Sequence, residues 1–274
     1  MELHPLLTPA GSDGQVQYNN NGLFGGDSAL AWDDVAKSLT IGSAAHLYLR
    51  DSAIGIYSQA DTFLDIFADG GVRIGDSSAG APTNYTEFEP TGFIEFKGSA
   101  VAYKDINIAG VLLNLPAVSA PGKDTFVDST GTNTTIYTYA FAIDEYVSGG
   151  FELQHDYKEG TDLVFHVHWQ GIAAPSGTDN VQWRLTYIVS RGGVTLAAAT
   201  TIDSPDTAID TRYRCYRTDF GAITGTNFTI GDQIMFNLYR VAATGDAYLG
   251  EALIQTAGIH YQCDSIGSRA ITTK

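Results

Sequence analysis

The stretch "FHVHW" (Phe165 to Trp169) is the sharpest chemical feature of this sequence. Side chains alternate across a strand, so His166 and His168 point to one side while Phe165, Val167 and Trp169 take the other. Two neutral imidazoles on one face are candidate transition-metal ligands, and on a three-fold axis six such rings would surround one ion. The plainer alternative is a pair of hydrogen-bonded sheet histidines. His155 and His260 fall on other strands, and spacing alone does not bring them together. No other cofactor is implied.

Catalytic arrangements are harder to find. Cleavage of a polysaccharide needs two carboxylates at a defined separation. Asp61, Asp65, Glu87, Glu89 and Glu95 are spread over alternate strand faces and turns, the pattern of a solvated surface. "GDSAL" around Ser28 is not a G-x-S-x-G elbow, and "GSDG" near the start lacks the lysine and helix of a phosphate loop. The chain is therefore expected not to be an enzyme. For binding, Trp169, Trp183, Tyr187, Tyr213, Tyr216, Tyr239, Tyr248 and Tyr261 supply rings that can stack on sugars, yet most alternate as core residues do. The loops "GIAAPSGTDN" and "VAATGDAYLG" are better receptor candidates, because sandwich loops present variable chemistry on a rigid frame. Arg212, Arg214 and Arg217 in "RYRCYR" suit either anionic glycans or acidic neighbours, and no individual receptor-binding residue is assigned.

The elements that must position these groups follow from composition. Of 274 residues 44% are hydrophobic, Gly numbers 30 and Tyr and Phe 15 and 13, while helix formers are thin. Short runs of Thr, Val, Ile and Tyr between turns favour strands. A formal net charge of −16 repels nucleic-acid phosphates, so nucleic acid is not an expected partner. No apolar run is long enough to cross a bilayer, and "MELHPLLTPAG" lacks the features of a secretion signal. Cys215 and Cys263 lack metal-ligand spacing and, alternating with apolar residues, read as buried thiols.

Composition divides the chain into three zones: an attachment and hairpin module over 1–42, a β-stalk over 43–118, and a C-terminal domain over 119–274. In the first, "NNNG" signals a turn and "LAWDDVAKSLTI" reads as a small hairpin. The second holds short alternating segments from "HLYLRD" to "VAYKDINI", each able to bury only one face and too short for a deep core within one chain. "LPAVSAPGKD" reads as the linker. Eight longer strands follow, "TTIYTYAFAI", "GFELQH", "LVFHVHWQ", "VQWRLTYIVS", "VTLAAATTI", "RYRCYRTDF", "DQIMFNLYRV" and "EALIQTAGIHYQ". They imply an antiparallel sandwich, most simply a jelly roll. In the fourth, Val181, Trp183, Leu185, Tyr187 and Val189 share the buried face.

The segment "GSDGQVQYNNNGLFGGDSALAWDDVAKSLTIG" resembles a module that recurs in structural proteins of tailed bacteriophages, especially tail fibres. "LYLRDSAIGIYSQADTFLDIFADGGVRIG" resembles the β-stalk that often follows it. "HDYKEGTDLVFHVHW" and "IHYQCDSIGSR" resemble a C-terminal domain of similar virion proteins. The resemblance covers most of the chain and implies a homotrimer at the virion surface, assembled in the host cytoplasm. It further implies an intertwined stalk, docking to other virion proteins through the N-terminal region, and an outward domain contacting a host glycan or protein. A tail fibre or spike is the leading expectation. Only about a dozen residues precede the module, which favours the alternative of a capsid-mounted head fibre or decoration protein, and a depolymerising spike is a minor third.

Overall fold

The structure, a computed structural model, describes residues 9–42, 46–50, 52–57, 63–76 and 82–274. Asn21 and Gly22 both hold positive φ, 54° and 86°, the two-residue turn whose twist matches that of paired strands. It folds β1 (Gln15–Asn20) back on β2 (Leu23–Asp33), and a second turn ending at Lys37 brings β3 (Ser38–Ile41) alongside, with Trp32 opposite Leu39. The expected hairpin is there. A second small sheet joins β4 (Leu47–Tyr48), β5 (Ile54–Tyr57) and β6 (Asp65–Ala68), and its rings cluster: His46 lies 4.3 Å from Tyr57, and Phe67 meets Tyr57 edge-on. The strands β7 (Val72–Gly75), β8 (Tyr85–Phe88) and β9 (Ile94–Lys97) follow.

The chain forms two compact units. One is 1–82 with 86–94, and the other is 95–274 with 83–85. Each expected strand of the C-terminal domain has a counterpart in the second unit, although "VTLAAATTI" is extended into a strand only over its last three residues. They are β12 (Asn133–Phe141), β13 (Tyr146–Glu152), β14 (Val164–Gly171), β15 (Asn180–Ser190), β16 (Thr200–Asp203), β18 (Cys215–Asp219), β19 (Gln233–Val241) and β20 (Ala252–Cys263), with the two-residue β17 (Thr207–Ala208) between the fifth and sixth. One sheet runs β12-β20-β14-β18 and the other β13-β19-β15-β16. Numbering the eight expected strands in chain order gives 1-8-3-6 and 2-7-4-5, so consecutive strands cross between sheets at all but one step. That is jelly-roll topology. The fold is all-β, and the only helical element among the described residues is a three-residue 3₁₀ turn, Gly110–Leu112.

The core lies between these sheets. Phe165, Val167 and Trp169 of β14 face Val181, Trp183 and Leu185 of β15, all buried, and Phe141 meets Trp183 edge-on at 5.2 Å. One irregularity sets the faces of β20. Its ladder with β14 pairs Thr256 with His168 but Ile254 with Trp169, leaving Gln255 as an extra, bulged residue. Ala252 and Ile254 point into the core before the bulge, and Ala257, Ile259, Tyr261 and Cys263 after it.

Two expectations are corrected. The boundary drawn near residue 118 is not where the compact units divide. Ala102–Ala109 (β10), placed in the stalk, pairs with β20 over eight residues, and Ile106 and Ile108 pack on the core. "LPAVSAPGKD" is then a crossover within the second unit, leading into β11 (Gly122–Val127), which pairs with β12. Its prolines interrupt a ladder, but its ends are held. Asn114 and Ser148 exchange backbone hydrogen bonds of 2.8 and 2.9 Å, and Ser119 accepts one from Tyr146. The second correction is Cys215, which faces solvent while Cys263 is buried. In β18 the inward positions belong to Tyr216 and Thr218.

A fragment from about Glu95 should fold alone, whereas one from Lys123 should melt at a much lower temperature in circular dichroism. The shorter fragment loses the buried Leu113, worth about 1.5–3 kcal/mol, and the smaller contributions of the partly buried Phe96, Ile106 and Ile108, and it bares the edge of β20. Trp183→Ala should cost about 3–5 kcal/mol in denaturant unfolding of the longer fragment, through the cavity it leaves.

Candidate functional site

The outer face of the β14 sheet gathers the titratable groups. Three rows cross it. Asp219 of β18, His166 of β14, Gly258 of β20 and Asn107 of β10 form one. Val164, His260 and Asp105 form the next, and Arg217, His168 and Thr256 flank the first on its other side. His166 and His260 are therefore diagonal neighbours, within reach of one another across adjacent strands. Their rings stack at 4.2 Å, and His168 meets His166 edge-on at 5.2 Å.

His166 is the centre of the group. Although it points away from the core it is only 1% exposed, because its ring lies over the backbone of Gly258. A Cβ on residue 258 would stand 2.7 Å from two atoms of the His166 ring and 2.1 Å from Asn107 Oδ1, so a glycine is what makes the seat. His166 Nδ1 is buried without a hydrogen-bond partner. Burial, and then the nearby His260, His168 and Arg217, push its pKa down to about 4. His168 is shifted the same way, chiefly by burial. Neutral imidazoles keep a lone pair for a ligand at neutral pH.

His260 is fixed by its partners. Arg217 Nη2 lies 3.0 Å from His260 Nε2, and a guanidinium can only donate, so Nε2 accepts. The ring proton then sits on Nδ1, which pairs with Asp105 Oδ1. Arg217 Nε also donates to Asp219 Oδ1 at 2.7 Å. The guanidinium thus ties His260 to Asp219.

The expected pair, His166 and His168, does share the outer face. The residues that bring ligand atoms together are different: His166, His260 and Asp219 each place one within 4.8 Å of the others. Asp219 carried no signal in sequence beyond its alternation with Arg217, and His260 could be placed only once the β10, β20 and β14 ladders were known. His155 sits apart, with Nδ1 2.5 Å from Ser268 Oγ.

The other candidates are accounted for locally. Glu87 is ion-paired with Arg73 at 3.0 Å and Glu95 with Lys97, Asp65 lies on β6, and Asp61 is outside the described residues. Of the aromatic set, Trp169, Trp183, Tyr216, Tyr248 and Tyr261 are buried, which leaves Tyr187, Tyr213 and Tyr239 half-exposed. Arg214 pairs with Asp210 at 3.4 Å, and Arg212 stacks over Tyr213 at 4.8 Å. The two candidate receptor loops are bound to each other: Tyr248 Oη donates to the Ala173 carbonyl at 2.9 Å, and Thr178 Oγ1 to Asp246 Oδ2 at 2.7 Å. Between them lies an open cleft lined by Ala173, Pro175, Asp179, Tyr248 and Leu249, with Leu249 almost wholly exposed.

No protein family matches the chain, and no curated protein does. Solved structures similar to it include that of infectious bursal disease virus, Gx strain, at 10% identity over 77% of this chain and 42% of that one, with a TM-score of 0.29. The Gt strain gives 9% identity over 77% and 41%, with a TM-score of 0.30. TmCBM61 in complex with β-1,4-galactotriose gives 12% over 59% and 88%, with a TM-score of 0.25. The chain spans about two fifths of the length of the two viral chains it matches. Likeness this slight carries no functional meaning.

A histidine whose folded pKa lies below its unfolded one costs stability as pH falls. The unfolded chain takes up the proton near 6.5, while the folded chain resists until about 4. The contribution is intact above 6.5 and declines between these values. In metal-free buffer the His166 imidazole should titrate near pH 4 by NMR. Gly258→Ala, which pushes the ring towards solvent, should raise that midpoint towards 6.5. An unmoved midpoint would mean that burial over Gly258 is not what holds the ring neutral.

Proposed function

We propose that the chain is a non-enzymatic, homotrimeric appendage of a tailed-phage virion, a tail fibre or spike that attaches to the host surface. The observation that carries this reading is the contrast between the two units. The second closes its own core between two sheets. In the first, no described residue belongs to the buried hydrophobic core, and Leu23, Phe24, Trp32, Val35, Leu39, Phe63, Leu64, Ile66 and Ile74 are all exposed. Apolar side chains left bare on these small sheets contribute no burial to their stability. Further copies of the chain, wound about a common axis, would remove that surface from water at about 25 cal/mol per Å².

The sequence of β1 to β3 supports the same class, since its turn residues and hairpins are those in which it resembles the fibre module. The first unit then docks on other virion proteins. The jelly roll faces outward, where the paired loops around Tyr248 and Leu249 offer a surface to a host glycan or protein. The net charge of −16 keeps neighbouring appendages from adhering to one another.

Light scattering of the full chain should give the mass of three chains. Leu23→Asp combined with Leu39→Asp should lower it to one while leaving the second unit folded. A stable wild-type monomer at micromolar concentration would end the trimeric reading. Micrographs of virions labelled with antibody to this chain should show label on the tail, and label on the capsid would make it a head fibre instead. Host-cell binding should follow the fragment from Glu95 onward.

A further inference from the structure

We propose that His166, His260 and Asp219 of a single chain form a divalent transition-metal site, in which Asp105 orients His260 from behind and Arg217 is the cation that the metal displaces. Three independent features of the outer sheet face lead there.

The first is the donor set. Two imidazole nitrogens and one carboxylate oxygen lie within 4.8 Å of one another. Three such atoms always have a point between them no more than about 2.8 Å from any of the three, so contraction by under about 1 Å reaches metal–ligand bonds of roughly 2.0–2.2 Å. Two nitrogens with one oxygen suit zinc and its neighbours rather than calcium or magnesium.

The second is the state of the imidazoles. His260 Nδ1 faces Asp105 and its Nε2 carries the lone pair, the arrangement in which a carboxylate behind a ligating histidine fixes its tautomer and raises its basicity. His166 brings a buried ring whose Nδ1 has no partner, a group that ordinarily costs free energy to leave unmet.

The third is Arg217. Its guanidinium hydrogen-bonds two of the three candidate ligands, His260 Nε2 and Asp219 Oδ1, so a positive charge already stands against them. Its side chain is nearly half exposed and can turn away into water. Metal binding is then an exchange of one cation for another, and it needs no second copy of the chain.

Purified full chain, stripped with chelator, should bind Zn²⁺ in calorimetric titration with one ion per chain. Co²⁺ should give the visible absorption of a low-coordinate site. Asp219→Asn and Asp105→Asn should each weaken Zn²⁺ binding about 10–100-fold, and His168→Ala should leave it unchanged. Arg217→Gln removes the competing charge and should tighten binding about tenfold, the reverse of what a ligand or a folding residue would do. Circular dichroism of each variant separates lost binding from lost fold. No saturable binding by the wild type or by the Arg217→Gln variant would overturn the site. So would undiminished affinity in folded Asp219→Asn, or one ion per three chains that depends on His168.

Discussion

The outer face of the second unit depends on a single bulged residue. β20 runs twelve residues through the sheet, with β14 on one edge and β12 and then β10 on the other. Because side chains alternate, moving a strand by one residue turns every side chain over. Without Gln255 outside the ladder, the alternation set by Ala252 and Ile254 would continue through Thr256, Gly258 and His260. His260 would then enter the core, and Ile259 and Tyr261 would face water. The bulge lets both halves of β20 present apolar residues inward while His260 comes to lie beside His166, and the same residue has a further use: Gln255 Oε1 accepts from Cys215 Sγ at 2.8 Å. A core requirement thus assembles the histidine cluster.

Stability is distributed unevenly for the same reason. In the second unit, alternation is matched by a facing sheet, so strands such as β14, β15, β18 and β19 each keep one face dry, while the short β16 has no buried residue. In the first, alternation is present in sequence but no described residue of that unit joins a buried hydrophobic core. The rings of His46, Tyr48, Tyr57 and Phe67 pack together over β4 to β6, which organises those strands locally without burying them. The same two-residue period leads in one unit to a core and in the other to apolar side chains that stay exposed.

Much of this was legible beforehand because it rests on local rules. "NNNG" gave a hairpin because only residues that tolerate positive φ can make so tight a turn, and the eight long strands announced themselves by period and punctuation. Placing Phe165, Val167 and Trp169 opposite His166 and His168 needed nothing beyond the pleat. What escaped depends on partners distant in sequence. β10 has the composition of a stalk strand, and only its pairing with residues about 150 positions later makes it part of the sandwich. Cys215 alternates with Tyr216 and Arg214 in a way that fits either face. The nearness of Asp219 to His260 is a property of two ladders at once and leaves no mark in either of them.

Two arginines show how differently one side chain can be held, and why exchange is confined to one of them. Arg240 is buried, and its Nη atoms donate to the backbone carbonyls of Phe141, Gly250 and Tyr248, closing the end of β12 onto the loop before β20. Burial pushes its pKa down to about 10, still far above neutral, so the charge stays. No ion can replace it, because its three acceptors are fixed by the chain and would be left unpaired inside the protein. Arg217 has the opposite situation. Its acceptors are a carboxylate and an imidazole nitrogen, both of them metal ligands by nature, and its departure leads into water. Removing the first charge would damage the fold, whereas removing the second exposes donors that a different cation can use.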